Sequence, residues 1–257
     1  PERATTLVTQ IYPSADVLPE NTLKFYVHFS APMSRGHSYD HIRLLDEANR
    51  PVELAFLELA EELWSPDMLR LTLLMDPGRI KREVKPIEDL GPALIAGHRY
   101  SLLIARTLRD AHGQPLRQAF VKHFTVAAPD REPPDPARWT YTPPRVRTRE
   151  PLAVDLAKPM DAALATRLIH VTDRTGRAVP GTAFLTERER VWKFLPVQSW
   201  SPGDYTLVVE TTIEDLAGNN IGKAFEVELN APTPRRTEPG VVKLPFELPE
   251  PRALRRE

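Results

Sequence analysis

A few groups of residues in this chain have the types and spacing that chemistry uses. His37 and His41, with Asp40 between them, stand four apart. On a helix that spacing puts two imidazoles on one face and offers two ligands to a metal ion. No third ligand is indicated, and solvent-facing histidines in a short loop after Met33 are the competing reading. Asp110 and Asp215 open glycine-bearing turns that could suggest calcium, which takes about six to eight oxygens. Each has only one or two carboxylates nearby, and turn chemistry accounts for them. Glu61-Glu62 and Glu187/Glu189 pair carboxylates along the chain, but nothing in the sequence sets one pair across a cleft from another, as glycoside hydrolysis requires. Glu187-Arg188-Glu189-Arg190 reads instead as an exposed strand or turn. No G-x-S-x-G, P-loop or G-x-G-x-x-G occurs. The expectation is a protein that is not an enzyme and carries no metal or cofactor.

Positive charge is the stronger signal. Arg79, Lys81, Arg82 and Lys85 place four cations in seven residues. Arg and Lys pair with carboxylate or phosphate, so this run reads as a partner-docking surface. The alternative is a solvated loop offset by Glu83, Glu88 and Asp89. Trp64 precedes a strand and reads as core or loop packing before it reads as a sugar platform. Near the other end, Val241, Val242, Leu244 and Phe246 give an extended, apolar stretch suited to docking on a sheet edge or a partner.

The elements that position these residues are strands. Over 257 residues, 34 Lys and Arg balance 35 Asp and Glu, so no global field recruits nucleic acid or an anionic membrane. The 27 prolines against 11 glycines suit short strands with stiff connections. Cysteine is absent, which excludes disulfides, thiolate zinc sites and cysteine nucleophiles. No run approaches the ~18 apolar residues that span a bilayer. The sequence opens on Pro1, so the expectation is a removed leader or a trimmed end, with a lipid anchor possible before residue 1.

Alternation is clean in Thr22–Phe29, where Phe25, Val27 and Phe29 share a face, and in Leu152–Leu156, where Val154 and Leu156 do. The same phrases occur twice. Met33 to Met160 and Asp46 to Asp173 are offset by 127, while Tyr100 to Tyr205 and Asp110 to Asp215 are offset by 105. The first copy therefore carries 22 extra residues, expected as a basic inserted loop near 76–96. Four prolines in 127–138 read as a semi-stiff linker. Phe120–Val126 and Ala224–Leu229 read as closing strands, which leaves 231–257 as an extended Pro/Arg-rich tail. The expected division is 1–127, linker 128–138, 139–230 and tail 231–257.

Phe29-Ser30-Ala31-Pro32-Met33, Asp46–Asn49, Gly97–Ile104 and Asp110–Gly113, echoed by Lys158-Pro159-Met160, Asp173–Gly176, Gly203–Tyr205 and Asp215–Asn219, resemble the bacterial Ig-like domain family of S-layer and other surface proteins. Asn49 stands where that pattern has glycine. The resemblance implies an all-β fold of two tandem Ig-like antiparallel sandwiches. It also implies an exported structural or protein-interaction module of the periplasm, outer membrane or cell surface, with envelope proteins as partners. A carbohydrate- or ligand-binding protein, or accessory domains of an envelope enzyme complex, are the alternatives.

Overall fold

In the computed structural model, residues 4–79, 91–223, 225 and 240–250 are described. The chain divides into two compact units, Pro1–Asp130 and Arg131–Glu257. Each is built from two sheets whose alternating inner faces supply a core.

Unit one opens with β1 (Val8–Tyr12) and β2 (Val17–Pro19), then β3 (Lys24–Phe29), β4 (Ile42–Leu45), β5 (Leu63–Trp64), β6 (Arg70–Leu74), β7 (Arg99–Ile104) and β8 (Phe120–Ala127). One sheet runs β1-β3-β6-β5 and the other β2-β8-β7-β4. Every ladder is antiparallel except β2 with β8. The period of two decides which residues meet. Phe25, Val27, Leu71 and Leu73 point in from one sheet, Leu102, Ile104 and Phe124 from the other, and all are buried. Phe25 and Phe124 touch across the gap with ring centroids 5.7 Å apart.

Unit two repeats the plan with β9 (Thr140–Thr142), β10 (Leu152–Asp155), a short helix α1 (Ala162–Leu168), β11 (Ile169–Asp173), β12 (Gly181–Thr186), β13 (Val191–Pro196), β14 (Gly203–Glu210) and β15 (Val241–Leu248). The sheets are β12-β13-β10-β9 and β11-β14-β15. Asp161 caps α1 by accepting the Leu164 N–H at 2.9 Å, a bond of the kind that contributes about 1 kcal/mol. The helix covers the core with Ala165 and Leu168, and Trp192 donates its indole N–H to the Ala165 carbonyl at 3.1 Å. Gly181 is required by close approach. A Cβ there would lie 2.3 Å from the Phe194 ring and 2.6 Å from the Leu195 carbonyl oxygen.

The fold is thus all-β, in antiparallel Ig-like sheets, as expected. Two expectations within it change. The ladder partners Val27↔Leu71 and Val154↔Trp192 set an offset of 121 at β6 and β13. Six of the 22 extra residues therefore precede β6 and sixteen follow it, so the insertion is not confined to 76–96. The strand beside β14 is β15, not Ala224–Leu229, a segment that apart from Phe225 lies outside the described residues. The stretch taken as a tail beyond the sandwich supplies Phe246 and Leu248 to its core, 6% and 1% exposed.

Proline explains why Val241–Leu248 does not announce itself as a strand. Thr211 donates to the Gly240 carbonyl at 2.9 Å. In an antiparallel ladder this bond fixes the even-numbered residues of β15 as those facing β14. Pro245 is odd-numbered, so its missing N–H costs the ladder nothing and removes a donor from the outer edge.

Candidate functional site

The recurring aspartates are turn builders. Asp46, Asp110, Asp173 and Asp215 each accept, through Oδ1, the N–H groups two and four residues on, at 2.8–3.1 Å. In all four turns the residue three positions on donates back to the aspartate carbonyl and has positive φ: 59° at Asn49, 75° at Gly113, and 81° at Gly176 and Gly218. Asn tolerates that region, so Asn49 substitutes for glycine without breaking the pattern. Two of these turns are tied to the Pro-Met phrases by isolated bridges, Met33↔Asp110 and Met160↔Asp215, which is why the phrases travel together.

The second carboxylate oxygen differs between units. Thr6 donates its hydroxyl to Asp110 Oδ2 at 2.7 Å. Lys158 Nζ donates to Asp215 Oδ2 at 2.6 Å, with the aspartate side chain only 1% exposed, and the Asn219 amide adds a bond at 2.9 Å. Burial alone would raise the Asp110 carboxyl, but the bonds from Thr6, Gln114 and His112 outweigh it and hold the group below the ordinary aspartate value.

The basic run does not present itself as expected. Arg79 is buried at 5% exposed. Its guanidinium donates to the carbonyls of Glu53 and Gly91, the latter at 2.7 Å, and so pins the start of the insertion to its end. Arg79 is a staple within its own unit and is not part of a free cationic surface. Lys81, Arg82 and Lys85 lie outside the described residues. In the apolar stretch, Phe246 is core, Val242 and Leu244 are half-buried, and Val241 alone is well exposed.

The remaining candidates are spread apart. His41 Nδ1 pairs with the Thr107 hydroxyl at 2.9 Å, while His37 faces Asp40 at 3.5 Å, so the two imidazoles have different partners. No cluster of three metal-ligating side chains occurs among the described residues. Glu62 accepts from the Gly36 and Ser38 N–H groups and the Trp64 indole at 2.6–2.8 Å. Burial pushes its carboxyl up, but these bonds win and hold it below the ordinary range. Trp64 rests on Phe29 with centroids 5.6 Å apart. Glu187 is exposed and Glu189 buried on the β12–β13 connection, in the other unit from Glu61 and Glu62.

Concave features were not read from the sequence, and two of them bear on function. On unit one, an open cleft of about 480 Å³ is lined by Asp16, Asp46, Glu47, Arg99, Ser101 and His123. Ser101 and His123 Nδ1 lie 2.8 Å apart, and His98 pairs with Glu47 at 2.7 Å beside it. On unit two, the seam between β9 and β15 holds an apolar pocket of about 200 Å³, walled by Trp139, Tyr141 and Leu152 on one sheet and Leu207, Leu244 and Phe246 on the other. Tyr141 stays 49% exposed at its mouth, 5.8 Å from the Phe246 ring. Among the described residues no strand pairs with the outer edge of β15.

No protein-family profile matches the chain, and no curated protein does either. Solved structures do match. Native alpha-2-macroglobulin from Escherichia coli, spanning domains MG0-NIE-MG1, is 12% identical with a TM-score of 0.30, over 80% of this chain and 66% of that one. Surface layer protein SbsC, domains 1–6, is 15% identical with a TM-score of 0.34, over 87% and 26%. The titin domains Z1Z2, solved in complex with telethonin, are 12% identical with a TM-score of 0.25, over 81% and 90%. This chain thus spans about two thirds of the first and a quarter of the second. The neighbours include a surface layer protein, and the fold assignment rests on the ladders described above.

Proposed function

We propose that the chain is a non-enzymatic structural or protein-interaction module of a bacterial cell envelope or surface. The observation that supports this reading is where the reactive side chains spend their bonds. All four turn aspartates and Glu62 direct carboxylate oxygens to backbone N–H groups, Lys158 neutralises a buried carboxylate, and Arg79 donates to backbone carbonyls. Side chains committed in this way hold a rigid scaffold in shape. Export is the finer part of the proposal and follows from the resemblance to bacterial surface modules. Fractionation of the native host, followed by protease treatment of intact cells and spheroplasts, tests it. The chain should be recovered outside the cytoplasmic membrane, and recovery only from the cytoplasm overturns the reading.

A ligand-binding role is favoured by one separate observation, the polar cleft of about 480 Å³ on unit one with its Ser101–His123 pair. Oligosaccharides of varied linkage titrated against the full chain should then bind with a heat signal that His123→Ala abolishes. A silent titration removes this second reading.

A further inference from the structure

The two units close their seams differently, and unit one shows what the seam of unit two is shaped to take. Tyr100 pairs with Phe124 in one ladder and Tyr205 with Phe246 in the other, and each pair stacks, with centroids 6.0 and 5.6 Å apart. Phe124 and Phe246 are therefore equivalent, and the registers make Lys122 the counterpart of Leu244, and Thr125 that of Glu247.

In unit one the chain leaves β1, crosses the seam, and runs as β2 parallel to the outer edge of β8. Ala15 and Leu18 are buried there. Thr125 N–H donates to the Asp16 carbonyl at 2.8 Å, and Glu20 N–H donates to the Ala127 carbonyl at 3.0 Å. Lys122 Nζ donates to the Ser14 and Ala15 carbonyls at 3.2 and 2.8 Å and finishes that wall.

Among the described residues unit two has no segment paired along the outer edge of β15; the turn Pro136–Arg138 before β9 lines one side of the pocket and leaves that edge open. Thirteen residues separate Tyr12 from its ladder partner Tyr26, but ten separate Thr142 from Ala153. The deficit of three equals the length of β2. Residues 143–151 are instead tied towards the β13–β14 connection, by Arg147 N–H on the Trp200 carbonyl at 2.7 Å and Trp200 N–H on the Thr148 carbonyl at 2.9 Å. The pocket is left at the place where Ala15 sits in unit one, and Leu244 stands where Lys122 supplied an ammonium. Glu247, by the alternation of β15, turns its N–H to the same outer edge that Thr125 uses.

We propose that this open seam is a docking groove for an extended segment of another polypeptide. The segment runs parallel to β15 and seats an apolar side chain larger than alanine between Tyr141, Leu207, Leu244 and Phe246. It accepts the Glu247 N–H through a carbonyl, as Asp16 does from Thr125. Main-chain bonds give such docking its affinity, and the pocketed side chain gives its choice of sequence. The proposal rests on the reading of the chain as an interaction module. It is tested in vitro, so it can fail while the cellular location stands, and the reverse.

The probe is a fluorescein-labelled nonapeptide with the sequence of Ser14–Thr22 and leucine in place of Ala15, titrated against the full chain by fluorescence anisotropy. Saturable binding is expected. Glu247→Pro removes an outward N–H and an exposed carboxylate and leaves the ladder to β14 intact. Its thermal transitions should therefore match the parent while binding falls at least about tenfold, or ~1.4 kcal/mol. Leu244→Lys, which rebuilds the wall of unit one, should do the same, as should a probe with aspartate at the leucine position. Glu247→Gln, which keeps the N–H, should bind as the parent does. Absence of saturation, or undiminished binding by Glu247→Pro and Leu244→Lys, overturns the proposal. So does binding that appears only when the chain is ended at Glu250, because the seam then belongs to the chain's own final residues.

Discussion

β8 and β15 occupy the same place in their units, yet the chain reaches them by different routes. From Tyr100 to its partner Phe124 the chain travels 24 residues; from Tyr205 to Phe246 it travels 41. The aromatic stack is nevertheless the same, while its inward neighbours on the strand differ, Lys122 and Val126 against Leu244 and Leu248. What is repeated, then, is the aromatic pairing, and the connection between its partners is free to vary because lengthening a loop costs only a slowly growing closure entropy. The second difference concerns the edge. β8 is flanked by β2, whereas β15 is blunted by Pro245.

The sharpest way to break this equivalence is to remove β15. A chain ending at Lys223 should lose the calorimetric transition of unit two and keep that of unit one. Retention of both transitions would show that β15 is an accessory to its sandwich and not the counterpart of β8. Next in size, Phe124→Ala and Phe246→Ala should each cost about 3–5 kcal/mol in denaturant titration, each in its own unit. A cost confined to Phe124 would break the equivalence of the two stacks.

The aspartate turns sharpen the comparison further. Lys158→Met leaves the Asp215 carboxylate buried without its cation and should cost about 3 kcal/mol. Thr6→Val removes only a hydroxyl from Asp110 and should cost about 1 kcal/mol. Between these, Arg79→Ala should cost about 2 kcal/mol in unit one by leaving buried carbonyls unmet. An unchanged melting temperature would return Arg79 to the surface.

The smallest effect is one of pH. The Asp110 carboxyl is held below its ordinary value in the folded state, so the unfolded chain binds the proton first. The carboxylate therefore stabilises unit one above about pH 4, and that contribution fades as pH falls through the lower folded value. The stability gap between the parent chain and Asp110→Asn, measured by urea titration across that window, should narrow with acid. A gap that does not vary with pH would remove the charge from the account.

Much of the scaffold is legible in the residues. Phe25, Val27 and Phe29 alternate as core residues must, and all three are buried. The Asp-x-x-Gly phrases state their hydrogen bonds outright, because aspartate, a spacer and a positive-φ residue have few other uses together. Legibility fails where a residue's environment comes from distant chain. Arg79 reads as solvated because charge usually is, and the carbonyls that meet it come from distant chain on both sides, Glu53 before it and Gly91 and Pro92 after it. β15 is obscured by Pro245, which is harmless only on an edge whose existence depends on the whole sheet. The apolar seam is invisible for a related reason. The connection from Thr142 to Ala153 is three residues shorter than its counterpart in unit one and is drawn towards Trp200, and a shorter connection leaves no letters to read.

The placement of β15 also sets an order in time. Of the described strands, unit one holds all of its own once Ala127 has left the ribosome, whereas unit two waits for Leu248, 121 residues later. At about 5–20 residues per second this is a lag of roughly 6–24 s. β14 ends at Glu210, 38 residues before Leu248, so its rim is unsatisfied for roughly the last 2–8 s of that lag. Over that time Tyr205 and Leu207 lack the wall that Phe246 and Leu244 supply. A nascent chain of this protein therefore emerges with one finished half and one half that is adhesive until the last strand arrives. Any chaperone that attends its synthesis has its work there.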